Sequence, residues 1–502
     1  MLPARADRLR LISLGSLFVL ALLVGLELSR PFRSASIGFD SQVAVIHFDR
    51  IVSGRHIEQF VSTTSKPVLT FIYGPLYALT TDWRPIAWAT IAAYAAGIVG
   101  VGILVARAAG PVAAAFSAVA VLGAPSLLFD VGFALATPWA LLGWVAAGLA
   151  ITAERPRYGL AGLALMLAAL ARVETLVVVG VAAAVLAIAT VARRPQPRRA
   201  WLVPIIGAGA IVVLCLHDWA LAGDPLLWTK IAARYSQATS LHVPTPIEVV
   251  KLLLVRYAQL GGAVILACLG LIRLVMRHQL RLAIGLLALG PAVAAFLLFL
   301  AVRGIFVSDR YVAAIDVAVL TAAGIGLAGL TSDAWAWVGE RIGASSWPTP
   351  YPLAIGVAVA VSIAVVLVWP HGPFNAELRA EVRASVETGA DTDRAIPIIA
   401  AALRAEAAAP NPAVLVPTAV RPRVVLGLGV PLTEVGGTDR LPLDASGNPL
   451  RAGQIVDHDR RAELRPDVLH VLEVSGPTAL GTLRLEPLLA DPARGLWVVA
   501  VR

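Results

Sequence analysis

Residues 86–106 read IAWATIAAYAAGIVGVGILVA, an apolar run without a charged side chain. A helix needs about 20 such residues to cross the roughly 30 Å hydrocarbon core of a bilayer. Similar runs recur along the chain and predict about 11 membrane spans. They lie near 11–28, 86–106, 112–129, 134–152, 159–171, 174–191, 201–221, 258–276, 283–302, 310–330 and 352–369. The sequence therefore predicts a polytopic α-helical membrane protein.

The composition excludes several other classes. Of 502 residues, 58% are hydrophobic and 15% charged, with a mean hydropathy of +0.79. A soluble domain cannot hide that much apolar surface. The net charge of +9 is almost all arginine. Because no basic cluster with interleaved aromatic residues lies in a polar stretch, no nucleic-acid partner is expected. Cys215 and Cys268 lie in apolar runs and offer neither a disulfide framework nor metal-ligand spacing.

Arginines between the spans set the predicted orientation, because cytoplasmic loops carry an excess of positive charge. With a cytoplasmic N-terminus, every arginine group falls on the cytoplasmic side. An odd number of spans then places the C-terminal region on the outer, extracytoplasmic side. The groups are Arg5, Arg8 and Arg10; Arg155 and Arg157; Arg193, Arg194, Arg198 and Arg199; and Arg273, Arg277 and Arg281.

The character of the chain changes at His371, where a more polar region begins. Short β-like runs punctuated by Gly and Pro follow. They are residues 413–416, 423–428, 468–474 and 496–501. We predict a membrane domain over 1–370, with an outer loop at 29–85, and a small extracytoplasmic α/β domain over 371–502.

The outer loop between the first two spans is unusually rich in ionisable side chains: Asp40, Asp49, Arg50, Arg55, His56, Glu58 and Lys66. Val43, Ile46 and Phe48 are spaced for a helix that lies on the membrane surface, with Asp40 at its start. One interpretation is that Asp40 caps the helix and complements its dipole. The other is that Asp40 is a general base, tuned by partial desolvation at the bilayer edge.

Other cations on the predicted outer face are candidates for binding a phosphate. Lys66 or Arg55 would hold a phosphate, although an interfacial belt of Lys, Trp and Tyr has the same appearance. Arg310, at the start of a late span, would bind a lipid-linked phosphate bidentately or else snorkel to head groups.

The triplet Arg172-Val-Glu174 interrupts one long apolar stretch. We predict two short spans with a turn that exposes both charges at the outer surface, because burying them in one span is costly. The alternative is that the pair only neutralises itself. Another outer turn, Gly223-Asp224-Pro225, leads to Lys230.

In their order, these pieces resemble the polytopic GT-C glycosyltransferases. Such enzymes have a first span, an outer loop with an early acidic residue, here Asp40, and a proline-containing segment, here Lys66-Pro67-Val68-Leu69. Three further features follow: an Arg-x-Glu turn, here Arg172 to Glu174, a Gly-Asp-Pro-Leu stretch at 223–226 and an Arg-Tyr pair at 310–311. The arabinofuranosyltransferase and mannosyltransferase-like branch of actinobacterial envelope enzymes matches best.

The resemblance implies a hexosyl- or pentosyltransferase in a bacterial plasma membrane. It would move a sugar from a polyprenyl-phosphate donor to a cell-envelope glycan or glycolipid, with inversion and with Asp40 as catalytic base. The cations implied at the donor phosphate are Arg310, Arg172 and Lys66. The further substrate contacts are Glu174, Arg55, His56, Glu58, Tyr311 and Lys230. Some relatives use a divalent cation, but this chain shows no clear ligand set, so no metal site is assigned.

Two other functions remain open from the sequence. A transporter or flippase for a lipid-linked glycan would carry charges at mid-membrane and often shows inverted repeats; here the charges cluster at span ends and no repeat is evident. A non-catalytic envelope assembly protein would act through its outer α/β domain.

Overall fold

The computed structural model describes residues 2–29, 37–56, 65–193, 196–230, 243–305, 307, 309–342, 390, 393–401, 414–417, 421–429, 435–438, 471–473, 485–491 and 496–501. The membrane part is helical. The helices are α1 (Leu2–Ser29), α2 (Phe39–Val52), α3 (Pro67–Thr80), α4 (Arg84–Ala109), α5 (Pro111–Leu122), α6 (Pro125–Gly132), α7 (Thr137–Ile151), α8 (Tyr158–Ala171), α9 (Thr175–Val191), α10 (Leu202–Ala222), α11 (Pro246–Leu260), α12 (Gly262–Met276), α13 (Leu280–Val302) and α14 (Ala313–Ile342).

Within these ranges, four helices are long and apolar enough to cross a membrane: Arg84–Ala109, Arg198–Ala222, Leu280–Val302 and Ala313–Asp333. Two bent helix pairs bring the number to six. The shorter apolar helices are Leu14–Glu27, Pro67–Thr80, Thr137–Ile151, Tyr158–Ala171 and Thr175–Val191. The total of about 11 spans stays a prediction, and the expected span at 352–369 lies outside the described residues.

Two of the predicted spans are broken rather than straight. The span expected at 112–129 is α5 followed by α6, with a bend of 60° where Pro125 begins the second helix and cannot donate a backbone hydrogen bond. The span expected at 258–276 begins inside α11, which meets α12 at 85°. Gly261 makes that corner with φ +51, a backbone conformation that glycine adopts without strain.

The outer loop contains more helix than the sequence predicted. The expected amphipathic helix is α2, and Val43 and Ile46 are buried in it. The apolar segment that follows Lys66 is a second helix, α3, to which the sequence analysis assigned no secondary structure. Pro67 opens α3 at the first turn, where a missing N–H has no intrahelical partner to lose. Helices α2 and α3 pack against each other.

Large apolar side chains stay exposed along the outsides of the long helices. Examples are Ile205, Val212 and Trp219 on α10, and Ile272 and Met276 on α12. Exposed apolar surface of this extent marks a membrane or partner contact. Together with the span lengths, it identifies a multi-pass membrane protein.

The C-terminal region contains a five-stranded sheet in the order β2-β1-β3-β5-β4. The strands are β1 (Val414–Pro417), β2 (Val435–Thr438), β3 (Val471–Glu473), β4 (Leu485–Asp491) and β5 (Leu496–Val501). Strand β1 runs parallel to β2 and β3, while β5 is antiparallel to β3 and β4. That 371–502 forms a separate extracytoplasmic domain stays a prediction.

One predicted β-like run, residues 423–428, is wrong: it lies in helix α15 (Arg421–Leu428). Val424 and Val425 are buried in this helix, and Leu426 packs against a core cluster that includes Tyr73. The high strand propensity of consecutive valines is overridden by this packing.

Helices α12 and α14 approach each other closely through glycine. A Cβ placed on Gly270 would lie 1.9 Å from the carbonyl oxygen of Ala322, and one on Gly326 would lie 2.0 Å from that of Leu266. Because these neighbours are backbone atoms, no side-chain rotation relieves the clash. The contact requires glycine at both positions.

We therefore expect Gly270→Ala to lower the thermal midpoint of the purified protein in detergent, at a cost of about 1–3 kcal/mol from forced separation of the helices. Gly285→Ala in α13 is the matched control, because a Cβ there meets nothing within 4 Å. That variant should keep or raise the midpoint, since alanine favours helix by about 1 kcal/mol over glycine. Equal midpoints for the two variants would contradict the close packing.

Candidate functional site

Asp40 and Lys66 form an ion pair between the starts of two helices. Lys66 Nζ donates to Asp40 Oδ2 at 3.1 Å, and their side chains are 16% and 20% exposed respectively. Asp40 lies in the first turn of α2, and the residue at the N-cap is Gly38. Asp40 is therefore not the capping residue itself. Its carboxylate has a specific cationic partner at a surface that solvent still reaches.

The start of α2 is held against the turn between α6 and α7. The Gly38 N–H donates to the Phe133 carbonyl at 2.8 Å, and Ser41 Oγ donates to the Ala134 carbonyl at 2.7 Å. The same Ala134 carbonyl accepts from Tyr73 of α3 at 2.9 Å. Ala134 has φ +55, a strained conformation for alanine that its surroundings must impose. Both helices of the Asp40–Lys66 pair are therefore anchored on one turn.

That turn also holds a buried charged cluster around Arg172. Nη1 of Arg172 donates to Asp130 Oδ2 at 3.1 Å and to Thr137 Oγ1, while Nε donates to Glu174 Oε1. Thr137 in turn donates to Asp130. The turn predicted at 172–174 exists, but the expected exposure is wrong, because Arg172 and Glu174 are each only 8% exposed. Partners from α6 and α7 make their burial possible.

The Arg172 cluster reaches the start of α14. The Arg172 guanidinium carbon lies 5.6 Å from the centre of the Tyr311 ring, within range of a cation–π contact. Tyr311 belongs to the 3-10 turn Asp309–Val312, which also contacts α6. The side chain of Arg310 lies outside the described residues, although its backbone is part of this turn. The start of α2, Arg172 and the turn at Asp309–Val312 thus each contact the segment from Pro125 to Thr137.

A second buried polar network lies beside Lys66 in the chain, at Ser65 and Thr70. The sequence did not predict it. Asp218 of α10 accepts from Ser65 Oγ at 2.5 Å, and His217 contacts both Asp218 and Thr70. The ring of His47 lies 5.9 Å from that of His217. Burial, and then repulsion from His217 and Lys66, hold the pKa of His47 well below its usual value. His47 is therefore neutral at pH 7.

The remaining predicted site residues are more peripheral. Arg55 and His56 are exposed beyond the end of α2, where Arg55 lies 3.5 Å from Asp49. Lys230 pairs with Asp224 at 2.7 Å on an exposed turn. Glu58 lies outside the described residues. Within the described ranges, no group of three or more His, Cys, Asp or Glu side chains could hold a metal ion.

The Arg172 cluster gives a stability prediction. Arg172→Met removes the guanidinium between two buried carboxylates, and breaking a buried ion pair from one side costs about 3–5 kcal/mol. We expect a large fall in the thermal midpoint. The double variant Arg172→Met/Glu174→Gln should recover part of it, because one buried negative charge is removed.

Lys230→Met is the control, since its pair with Asp224 is 44% and 35% exposed and exposed pairs contribute about 0–1 kcal/mol. A midpoint for Arg172→Met as high as that of Lys230→Met would show that the cluster does not stabilise the fold.

Comparison with known proteins tests the fold. No protein-family model matches the chain, and no curated protein matches it. Among solved structures, the chain is similar to ArnT from Cupriavidus metallidurans bound to undecaprenyl phosphate, with a TM-score of 0.59 and 16% identity over 97% of each chain. The apo state of ArnT gives a TM-score of 0.56 and 15% identity, again over 97% of each chain. At such identity the likeness concerns the fold alone: the chain shares the overall fold of these two ArnT structures, and this is the kind of fold that the sequence resemblance implied.

Proposed function

We propose that the protein is an integral membrane glycosyltransferase that uses a polyprenyl-phosphate sugar as its donor. The acceptor is a hydroxyl of a cell-envelope glycan or glycolipid on the outer face. Similarity of fold to a protein that binds undecaprenyl phosphate supports the donor class. The observation that carries the proposal is the Asp40–Lys66 pair, a base and a cation side by side at a partly exposed surface.

Asp40 is the general base in this proposal. Its carboxylate takes the proton of the acceptor hydroxyl as that oxygen attacks the anomeric carbon of the donor. The bond between the anomeric carbon and the phosphate oxygen breaks, and the electron pair leaves with the phosphate. A direct displacement of this kind inverts the anomeric centre. A positioned carboxylate typically contributes about 10²–10⁴-fold through such proton transfer.

Lys66 is the cation that meets the charge on the departing phosphate. Its ammonium carries three donors on a flexible stem, so it can turn from the Asp40 carboxylate to a phosphate without movement of α3. The carboxylate then faces the acceptor while the phosphate holds the ammonium. Stabilisation of charge that develops in the transition state is commonly the largest single contribution to catalysis.

The two arginines have different parts in the proposal. Arg172 already contacts Glu174 and Asp130. Its main proposed role is therefore to hold the turn between α6 and α7, which the start of α2 contacts, and to hold Tyr311. Arg310 is proposed as the second cation at the donor phosphate, because it adjoins Tyr311. The other residues that remain proposed contacts to donor or acceptor are Glu174, Arg55, His56, Glu58, Tyr311 and Lys230.

The C-terminal region is proposed to select the acceptor. Helix α15 contacts α2, the helix that carries Asp40. In α15, Arg423 is buried and bonds Asp393 through Nε at 2.6 Å. With a cytoplasmic N-terminus and an outer C-terminal region, this contact would lie on the extracytoplasmic side, where a lipid-linked donor is presented.

Asp40→Asn tests the proposal. We expect transfer from a polyprenyl-phosphate sugar to fall by about 10²–10⁴-fold, the typical contribution of a general base, while the protein still folds and inserts into the membrane. Transfer is measured with purified protein in liposomes.

Asp49→Asn is the matched control, because Asp49 lies on the same helix and its side chain is 55% exposed. It should retain wild-type transfer. Full transfer by Asp40→Asn would remove Asp40 from the mechanism. Movement of a lipid-linked glycan from one leaflet of the liposome bilayer to the other, without transfer of sugar to an acceptor, would favour a flippase instead.

A further inference from the structure

Asp218 is a carboxylate with no solvent exposure near the end of a membrane helix, α10. Such groups are costly unless they are fully hydrogen-bonded. One oxygen of Asp218 accepts from Ser65 Oγ at 2.5 Å, and the other accepts from the Trp228 backbone N–H at 2.5 Å. His217 Nδ1 lies 3.0 Å from the first oxygen.

These contacts hold the backbone on both sides of Lys66. Ser65, directly before it, is bonded to Asp218. Thr70, one turn later, lies 3.3 Å from His217 Nε2 through its hydroxyl. The Thr70 hydroxyl also lies 3.2 Å from the Lys66 carbonyl oxygen. Two consecutive residues of α10 therefore hold the residue before Lys66 and the turn after it.

We propose that Asp218, with His217, is a positioning residue that fixes Lys66 for the phosphate of the lipid donor. The inference rests on the proposed function and deepens it, because it names what sets the phosphate-binding cation in place. Lys66 is the N-cap residue of α3, and its side chain makes no capping hydrogen bond. The Cα from which that side chain extends lies between Ser65 and Thr70, which Asp218 and His217 contact.

The charged and titratable groups around Lys66 fit this role. Asp40 faces the ammonium from α2, and His47 of the same helix is neutral, so it does not repel the ammonium strongly. Asp218 and His217 approach from α10. The competing explanation is that Asp218 only secures the outer end of α10 through Trp228, in which case its effect would not depend on Lys66.

A double-mutant cycle separates these explanations, with binding of undecaprenyl phosphate to the purified full-length chain as the readout. We expect Asp218→Asn and Lys66→Gln each to weaken binding about tenfold, equivalent to loss of one charge-assisted hydrogen bond of about 1.4 kcal/mol. In the Lys66→Gln background, Asp218→Asn should then change the dissociation constant less than about twofold, because contacting residues that act through one group are not additive.

Ser65→Ala is the second variant, in case Asp218→Asn does not fold, since it removes one donor and leaves the carboxylate. Its effect on the dissociation constant should likewise be non-additive with that of Lys66→Gln. Ser126→Ala is the matched control: it removes a hydroxyl that donates to another buried carboxylate, Asp316, at 2.5 Å, and its effect should be the same with or without Lys66.

Additive effects of Lys66→Gln with either Asp218→Asn or Ser65→Ala would overturn the positioning role while leaving the proposed function intact. Failure of the wild-type protein to bind undecaprenyl phosphate would instead overturn the proposed function, and the positioning role with it.

Discussion

The ion pair between Asp40 and Lys66 is the constraint on which the site depends. The two charges lie at the starts of α2 and α3, and both side chains are mostly buried. A partly buried charge needs a partner, so the N-terminal ends of α2 and α3 must lie close together. The Ala134 carbonyl accepts hydrogen bonds from both helices, and Asp218 accepts one from Ser65, just before α3 begins. Buried hydrogen bonds thus hold both helices of the Asp40–Lys66 pair in place.

Those supports are built from buried polar groups placed at helix ends. Asp130 and Asp218 each lie in an apolar helix near its last turn, where a carboxylate can reach donors from neighbouring loops. Arg172 joins Asp130 to Glu174 and Tyr311, so the elements that bound the site are tied by one cluster. Elsewhere, Gly270 and Gly326 let α12 and α14 pack closely.

The sequence predicted the membrane class, the amphipathic helix that begins near Asp40 and the turn at Arg172, because each depends on local pattern and charge. It did not predict that Arg172 and Glu174 are buried, since their partners Asp130 and Thr137 come from another part of the chain. It also missed Asp218. A single carboxylate inside an apolar run is a signal for a functional or paired group, and both Asp130 and Asp218 carry that signal. The run at 423–428 was misread because packing, not propensity, makes it helical.

The most direct test of the central claim is a cryo-EM structure of the protein with undecaprenyl phosphate. We expect the phosphate to lie within about 3 Å of Lys66 Nζ, the distance of a charge-assisted hydrogen bond, and the Asp40 carboxylate to face the same cavity. A phosphate bound away from Lys66, with the Asp40–Lys66 contact unchanged, would contradict it.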